Sequence, residues 1–275
     1  MIGIKLQGRL GNQMFQYAFA LSTSKRLKTH FFLDVDEHYS NELCNFFELK
    51  RFKNPLLSKL RRNSFYKKEH NLNFIEVNHK NPFSINERLL VNNNCFYDGF
   101  FQSELYFHEY RDLVRKEFTI MKKHLINYQD LLNINKNKPT VVLHIRRTDY
   151  LKYGDENLGG EDLTLPLDYY NLCLKKINNL ANYNIVFVTD DPAFVKSNFY
   201  QLNPIISSSE SSIIDFQILM KGDIIVVANS SFSWWGAYLN TKARKIFAPK
   251  FWSGFKIKKE YPANIIPAHW ESIEF

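Results

Sequence analysis

A chain of 275 residues that is 45% hydrophobic and 16% aromatic can bury a full interior, which excludes a disordered protein and suits one large domain or two smaller ones. Its cysteines, Cys44, Cys95 and Cys173, are odd in number and far apart, so neither a disulfide framework nor a cysteine zinc site is expected, and a reducing compartment is. The formal charge of +8 suits an anionic partner, whether nucleic acid, a sugar nucleotide or a membrane face, without choosing among them.

The first residues lack a basic leader, and the apolar run from Met14 to Leu21 is too short for a membrane span and contains Gln16, so a cytoplasmic protein is expected. Ile2 to Leu6 reads as a strand, Gly8 and Gly11 as a turn, and the residues that follow as a helix to about Lys28, ahead of a second strand at Phe31-Phe32-Leu33. The two glycines would let backbone approach a sugar or phosphate closely, while Asn12 equally suits a helix cap. No Gly-Lys-Ser/Thr follows them, so a Walker A loop is not expected. Asp34-Val35-Asp36 is a literal Asp-x-Asp, but a pattern with one free position carries little information, and strand-end capping is favoured over a metal site. Between about 50 and 95 the sequence turns Lys- and Asn-rich, which reads as loops and small helices shaping an acceptor site. Lys59, Arg61, Arg62, Lys67 and Lys68, and later Lys256, Lys258 and Lys259, read as solvated basic faces, with contact to an anionic membrane as the alternative.

The polar stretch 133–138 is the linker expected between an N-terminal domain, 1–135, and a C-terminal domain, 139–275. In the second half apolar runs at 140–145, 185–188, 223–228 and 245–248 alternate with helical patterns near 166–181, after Pro192, near 211–221 and over 232–241. Such alternation predicts right-handed β-α-β units and a parallel sheet, a Rossmann-like domain without the Gly-x-Gly-x-x-Gly fingerprint.

The run Val141-Val142-Leu143-His144-Ile145-Arg146-Arg147-Thr148-Asp149-Tyr150 ends a buried strand in a histidine, two arginines and an aspartate. Successive strand side chains point to opposite faces, so His144 and Arg146 share one side. Ligands of open α/β sheets settle beyond the carboxyl ends of the strands, and the arginine fork suits phosphate, so a phosphorylated ligand is the first hypothesis; pairing of the arginines with structural carboxylates is the alternative. Ser230, Ser231 and Phe232 follow another predicted strand and open a helix, where hydroxyls and unpaired amides would hold a diphosphate or serine would simply cap.

His-Ile-Arg-Arg-Thr-Asp-Tyr resembles the His-x-Arg-Arg-x-Asp signature of the fucosyltransferases that use GDP-fucose. Gly8-Arg9-Leu10-Gly11-Asn12-Gln13-Met14-Phe15-Gln16-Tyr17, Val188-Thr189-Asp190-Asp191 and Asn229-Ser230-Ser231-Phe232-Ser233-Trp234-Trp235-Gly236 agree in order and spacing with the α1,2-fucosyltransferase branch, glycosyltransferase family 11. The resemblance spans nearly the whole chain. It implies a GT-B-like α/β fold, two Rossmann-like domains facing across a cleft, the first on the acceptor side and the second binding GDP-fucose. It also implies an inverting, metal-independent transfer of L-fucose to the 2-hydroxyl of a terminal galactose in a cell-surface glycan, with no nucleic acid involved. Eukaryotic relatives carry a Golgi anchor, so a bare catalytic chain rich in Lys, Asn and Ile points to a bacterial enzyme.

For the departing β-phosphate Arg146 is the first candidate, and the resemblance implies that His144 contacts the nucleotide. Arg147 would hold the loop or a catalytic carboxylate, and Asp149 would orient Arg147 or act on a proton. Asp215 stands at the spacing where related enzymes set an acid against guanine, whose N1-H and N2-H a carboxylate can accept; a surface aspartate is the alternative. Gly11 joins the donor site, and Asn12 resembles the asparagine of the Gly-x-x-Gly-Asn-Gln loop near fucose and acceptor. Trp234 and Trp235 read as packing, Asp190 and Asp191 partly as the start of the next helix. The base stays open among Asp149, Asp155, Glu156, Glu161 and Asp162. The rival readings are a fucosyltransferase of another linkage, such as α1,3, and a noncatalytic carbohydrate- or nucleic-acid-binding protein.

Overall fold

A computed structural model describes residues 1–35, 38–49, 60, 63, 76–78, 91–207 and 211–275. Within them the chain forms two compact units, Met1–Lys123 with Pro262–Ile265, and His124–Tyr261 with Ile266–Phe275. Asp36, the basic residues Lys59, Arg61, Arg62, Lys67 and Lys68, and most of the stretch between 50 and 95 lie outside the described residues; among the described residues of that stretch, Glu76–Asn78 is a strand.

In the first unit, β1 (Ile2–Leu6), β2 (Phe31–Val35), β3 (Glu76–Asn78) and β4 (Phe96–Asp98) form a parallel sheet in the order β2-β1-β4-β3. The helix α1 (Leu10–Arg26) is the crossover from β1 to β2 and is buried along most of its length. It begins after Gly8, whose φ of +76° only glycine adopts without strain, and Lys25 and Arg26 close it on the side where the macrodipole favours cations. Asn12 does not cap this helix. The Leu10 amide is met instead by Glu42 Oε2 at 2.9 Å, from the start of α2 (Glu42–Phe46), while Asn12 sits inside the first turn and its Oδ1 accepts from Gln102 Nε2 at 2.7 Å. A carboxylate at a helix N-terminus satisfies an orphan donor and the dipole together, which a neutral amide does less well.

The buried glutamines of the same segment are fasteners. Gln13 Nε2 donates to the Gly8 and Ser40 carbonyls at 2.9 and 2.7 Å, and Gln16 accepts from the Gln7 amide at 3.0 Å and donates to the Gly99 carbonyl at 3.2 Å. Tyr17 donates to Glu117, at the end of α3 (Arg111–Glu117), at 2.8 Å.

The second unit holds a six-stranded, all-parallel sheet in the order β10-β9-β8-β5-β6-β7, built from β5 (Thr140–Ile145), β6 (Asn184–Thr189), β7 (Ile205–Ser207), β8 (Ile224–Val226), β9 (Lys245–Pro249) and β10 (Glu271–Ile273). From β5 the chain winds outward to β7, returns to β8 on the other side of β5, and winds outward again to β10. This is the Rossmann strand order, whose switch point lies between β5 and β8. Its helices are α4 (Tyr128–Leu131), α5 (Leu167–Lys175), α6 (Pro192–Asn198), α7 (Ser212–Leu219) and α8 (Ser231–Leu239). Val141, Leu143 and Ile145 project into one core with Tyr169, Tyr170 and Phe187. Val142 and His144 therefore face the other side, where the His144 ring lies 5.8 Å from Phe232 and Phe232 lies 5.4 Å from Phe216. On that side α7 and α8 approach so closely that a Cβ on Gly236 would stand 2.6 Å from the Leu219 Cβ.

The stretch 133–138 is not the junction between the units. Ile134 is buried, and the Asn135 and Lys138 carbonyls accept from Asn184 Nδ2 at 2.9 and 3.0 Å, so this polar run is tied to the base of β6; the change of unit falls between Lys123 and His124. Among the described residues no helix is long and apolar enough to cross a membrane.

Candidate functional site

The carboxyl ends of β5, β6 and β8 gather most of the polar residues singled out in the second half of the sequence. β5 ends at Ile145, and the next residue, Arg146, leaves the sheet with its side chain 20% exposed. Its Nη2 bonds Asp149 Oδ2 at 2.7 Å, its Nη1 reaches Asp190 Oδ2 at 3.1 Å, and its guanidinium lies 5.8 Å from the centre of the Tyr150 ring. Asp149 thus orients Arg146, not Arg147 as the sequence suggested, because the turn Asp149–Lys152 folds the carboxylate back by three residues. Asp190 is itself fixed, accepting from the Arg147 amide at 2.9 Å and from Thr148 Oγ1 at 2.7 Å.

Arg147 points to the opposite side of the strand end. Its Nε bonds Asp191 Oδ2 at 3.1 Å and its guanidinium covers the Phe194 ring at 3.9 Å. Asp191 is the N-cap of α6, its Oδ1 accepting from the Phe194 amide at 3.0 Å. The paired arginines therefore divide their work: Arg146 is clamped between Asp149 and Asp190 beside Tyr150, and Arg147 fastens the turn that follows β6.

His144 is 4% exposed, and burial together with the positive charge of Arg146 pushes its pKa down to about 3, so the imidazole is neutral at any ordinary pH. Its Nδ1 is buried without a hydrogen-bond partner in the protein, as is Asn229 Oδ1, while Asn229 Nδ2 donates to the Leu163 carbonyl at 2.9 Å. Buried polar atoms are almost always paired, so these two, at neighbouring strand ends, remain open to a hydrogen bond from outside the protein. Ser230, buried and extended, is the N-cap of α8 but makes no side-chain capping bond; Ser231 and Phe232 form the first turn. The start of α8 and Arg146 follow the two strands flanking the switch point, where dinucleotide phosphates bind in this topology.

Tyr150 was not singled out from the sequence. Its hydroxyl donates to the Asn229 carbonyl at 3.1 Å and also meets Ser230, and burial holds its pKa well above the usual phenol range. It thus braces the loop after β5 against the turn after β8. The signal was present in the aromatic ending of the 141–150 run, but the partner lies 79 residues away in sequence.

Asp215, half-buried in the first turn of α7, accepts from Ser207 Oγ at 2.6 Å at the end of β7. It stands toward the β7 edge of the sheet, apart from the Arg146 cluster. Gly11 and Asn12 belong to α1 in the first unit. Asp34 lies within β2, one residue before its end, and among the described residues no three His, Cys, Asp or Glu side chains gather as a metal site. Trp234 and Trp235 are fully buried, as the sequence suggested.

The profile of Glycosyl transferase family 11 matches residues 1–274. The chain is 30% identical to the O-antigen biosynthesis glycosyltransferase WbnK of Escherichia coli, over 90% of this chain and 93% of that protein. It is 28% identical to an alpha-1,2-colitosyltransferase of Escherichia coli, over 98% of each. Among solved structures it is similar to the NodZ alpha-1,6-fucosyltransferase co-crystallised with GDP, the same fucosyltransferase from Bradyrhizobium, at a TM-score of 0.52 and 12% identity over 89% of this chain and 93% of that one. It is also similar to POFUT1 in complex with GDP, at 0.56 and 12% over 90% and 96%. These likenesses place the two parallel-sheet units in the GT-B-like α/β fold.

Proposed function

The chain belongs to glycosyl transferase family 11, and from that premise we propose that it transfers L-fucose from GDP-β-L-fucose to the 2-hydroxyl of a terminal galactose, with inversion at the anomeric carbon. The observation that carries this reading is that Arg146 follows β5 and the start of α8 follows β8, the two strands flanking the switch point, with the His144 ring 5.8 Å from Phe232. In the transfer, the bond from fucose C1 to the β-phosphate oxygen breaks, a bond from C1 to the acceptor oxygen forms, the hydroxyl proton passes to a base, and GDP leaves. Charge grows on the departing oxygen, and preorganised donors there lower the barrier. Arg146, with Ser230, Ser231 and the Phe232 amide, would hold the diphosphate. His144, neutral, would offer a hydrogen bond to the nucleotide rather than a charge, and Asp215 would accept from guanine. Asp149 and Asp190 would keep the Arg146 fork aimed, and Arg147 would act through the turn after β6.

On this reading the C-terminal domain binds GDP-fucose, the N-terminal one presents the acceptor, and Gly11 and Asn12 lie near the fucose. With fixed cations and amides at the phosphates, no metal is required. The names of the Escherichia coli relatives support an α1,2 linkage and an O-antigen or similar cell-surface glycan. The exposed Lys256, Lys258 and Lys259 would suit contact with an anionic membrane. The test is a screen of galactose-terminated acceptors with GDP-fucose, with and without EDTA, followed by NMR of the product. An α1,2-linked fucose formed at an EDTA-insensitive rate is expected. Another linkage, strict metal dependence, or no turnover of GDP-fucose would refute the corresponding part.

A further inference from the structure

Between Tyr150 and Leu163 the chain makes a closed loop on the second unit. The Leu163 amide donates to the Tyr150 carbonyl at 2.8 Å, the Gly154 amide to the Glu161 carbonyl at 2.7 Å, and the Gly160 amide to the Asp155 carbonyl at 2.9 Å. Leu158 and Leu163 are buried beneath it, and Asn229 ties its base to the turn after β8. Compact loops with pinned ends and their own small core are a frequent setting for function. At its start Tyr153, 59% exposed, stacks on Tyr150 with ring centres 5.0 Å apart and planes within 5° of parallel. Tyr150 is held in turn by the Asn229 carbonyl and lies under Arg146. An exposed aromatic ring is thus fixed in orientation two contacts from the cation at the switch point.

We propose that Tyr153 is a stacking platform for a sugar ring of the acceptor, a ring beyond the galactose that receives fucose. The proposal rests on the fucosyl-transfer reading and deepens it. A pyranose presents an apolar C-H face suited to an aromatic ring, and its rim of hydroxyls needs donors and acceptors close by. The surroundings supply both. Lys152 and Lys256 are exposed donors, and Asp155, Glu156, Glu161 and Asp162 are exposed acceptors, with Tyr261 in electrostatic range of Tyr153 and Asp155. The mixture of signs suits a neutral polyhydroxylated ligand. A ring already fixed by its neighbour loses little freedom on binding, so the contact is pre-organised.

The test compares the full-length wild type with Tyr153→Ala and Tyr153→Phe on two acceptors, methyl β-galactoside and a galactose-terminated trisaccharide. Tyr153→Ala should raise KM for the trisaccharide about tenfold while leaving kcat, the KM for methyl β-galactoside and the Kd for GDP unchanged, and Tyr153→Phe should stay near wild type. An unchanged trisaccharide KM overturns the platform, as does an equal rise for both acceptors or a weakened GDP Kd. If the wild type fucosylates neither acceptor, the transfer reading fails by itself. Calorimetric titration of the trisaccharide into GDP-bound protein then decides the platform, with weaker binding by Tyr153→Ala supporting it and equal or absent binding in both proteins overturning it.

Discussion

Arg146 is the residue on which the proposed chemistry leans most, and its replacement has an outcome that can be worked from the contacts. In the absence of ligand its two terminal nitrogens are bonded to Asp149 and Asp190, at 2.7 and 3.1 Å. Arg146→Ala therefore does two things: it removes the cation beside the departing phosphate, and it leaves two carboxylates facing that oxygen without compensation. Loss of one electrostatic donor at a developing anion costs about 100- to 1,000-fold in kcat, or roughly 3 to 4 kcal/mol, and the exposed carboxylates push toward the upper end. Arg146→Lys keeps a charge but cannot hold both aspartates in a planar fork and face a phosphate as well, so its loss should be intermediate, on the order of tenfold. The pairs are partly solvated, so thermal stability should change only modestly. The assay is GDP release at saturating donor and acceptor, with GDP affinity measured by calorimetry. A folded Arg146→Ala that keeps kcat within threefold of wild type would refute the reasoning.

Asp215→Ala should weaken GDP binding and narrow the preference for GDP over ADP, with little change in acceptor KM, since adenine lacks the donor pair a carboxylate accepts; unchanged GDP and ADP affinities would return Asp215 to a purely structural bond with Ser207. His144 gives a pH prediction with a definite sign. Its folded pKa is depressed to about 3 from an unfolded value near 6.5, so below 6.5 the unfolded chain binds the extra proton and stability falls with pH toward 3. At pH 5 this amounts to roughly 2 kcal/mol, and His144→Phe should reduce the drop in Tm between pH 7.5 and pH 5; an undiminished drop would show that other groups carry the acid sensitivity.

Much of the second unit was legible because its signal is local. The apolar run 140–145 and the alternation after it led to the sheet and helices, since strands buried on both faces read as continuous hydrophobic stretches. The edge strands β7 and β10 escaped because, unlike the short β8, they do not lie in a longer apolar run: Ile205-Ile206 and the lone Ile273 leave too short a pattern to register. The linker was misplaced because polar composition is blind to tertiary hydrogen bonds: residues 133–138 look solvent-loving, yet Asn184 holds their carbonyls. In the site, the residue types came from the sequence but their pairing did not. Asp149 could reach either arginine until the turn after Thr148 was known, and Asp190 and Tyr150 find their partners through the sheet. The segment around Gly11 and Asn12 shows the opposite limit, since its glutamines are spent on holding loops, which spacing alone does not reveal.

The path of the chain between the two units bears on how the protein is made. After Tyr261 the chain returns to the first unit for Pro262–Ile265, where Ser103 Oγ donates to the Asn264 carbonyl at 2.6 Å, and then goes back to add β10 at the edge of the other sheet. Neither unit is a continuous stretch of sequence. During synthesis the N-terminal sheet can assemble early, but it lacks its last buried piece, Ile265, until both sheets' other strands have emerged, and the larger sheet keeps the flank of β9 open until residues 271–273 arrive. Ribosome-bound intermediates should therefore expose strand β9 to foreign pairing, and a chain cut after Tyr261 should leave both halves of the molecule unfinished.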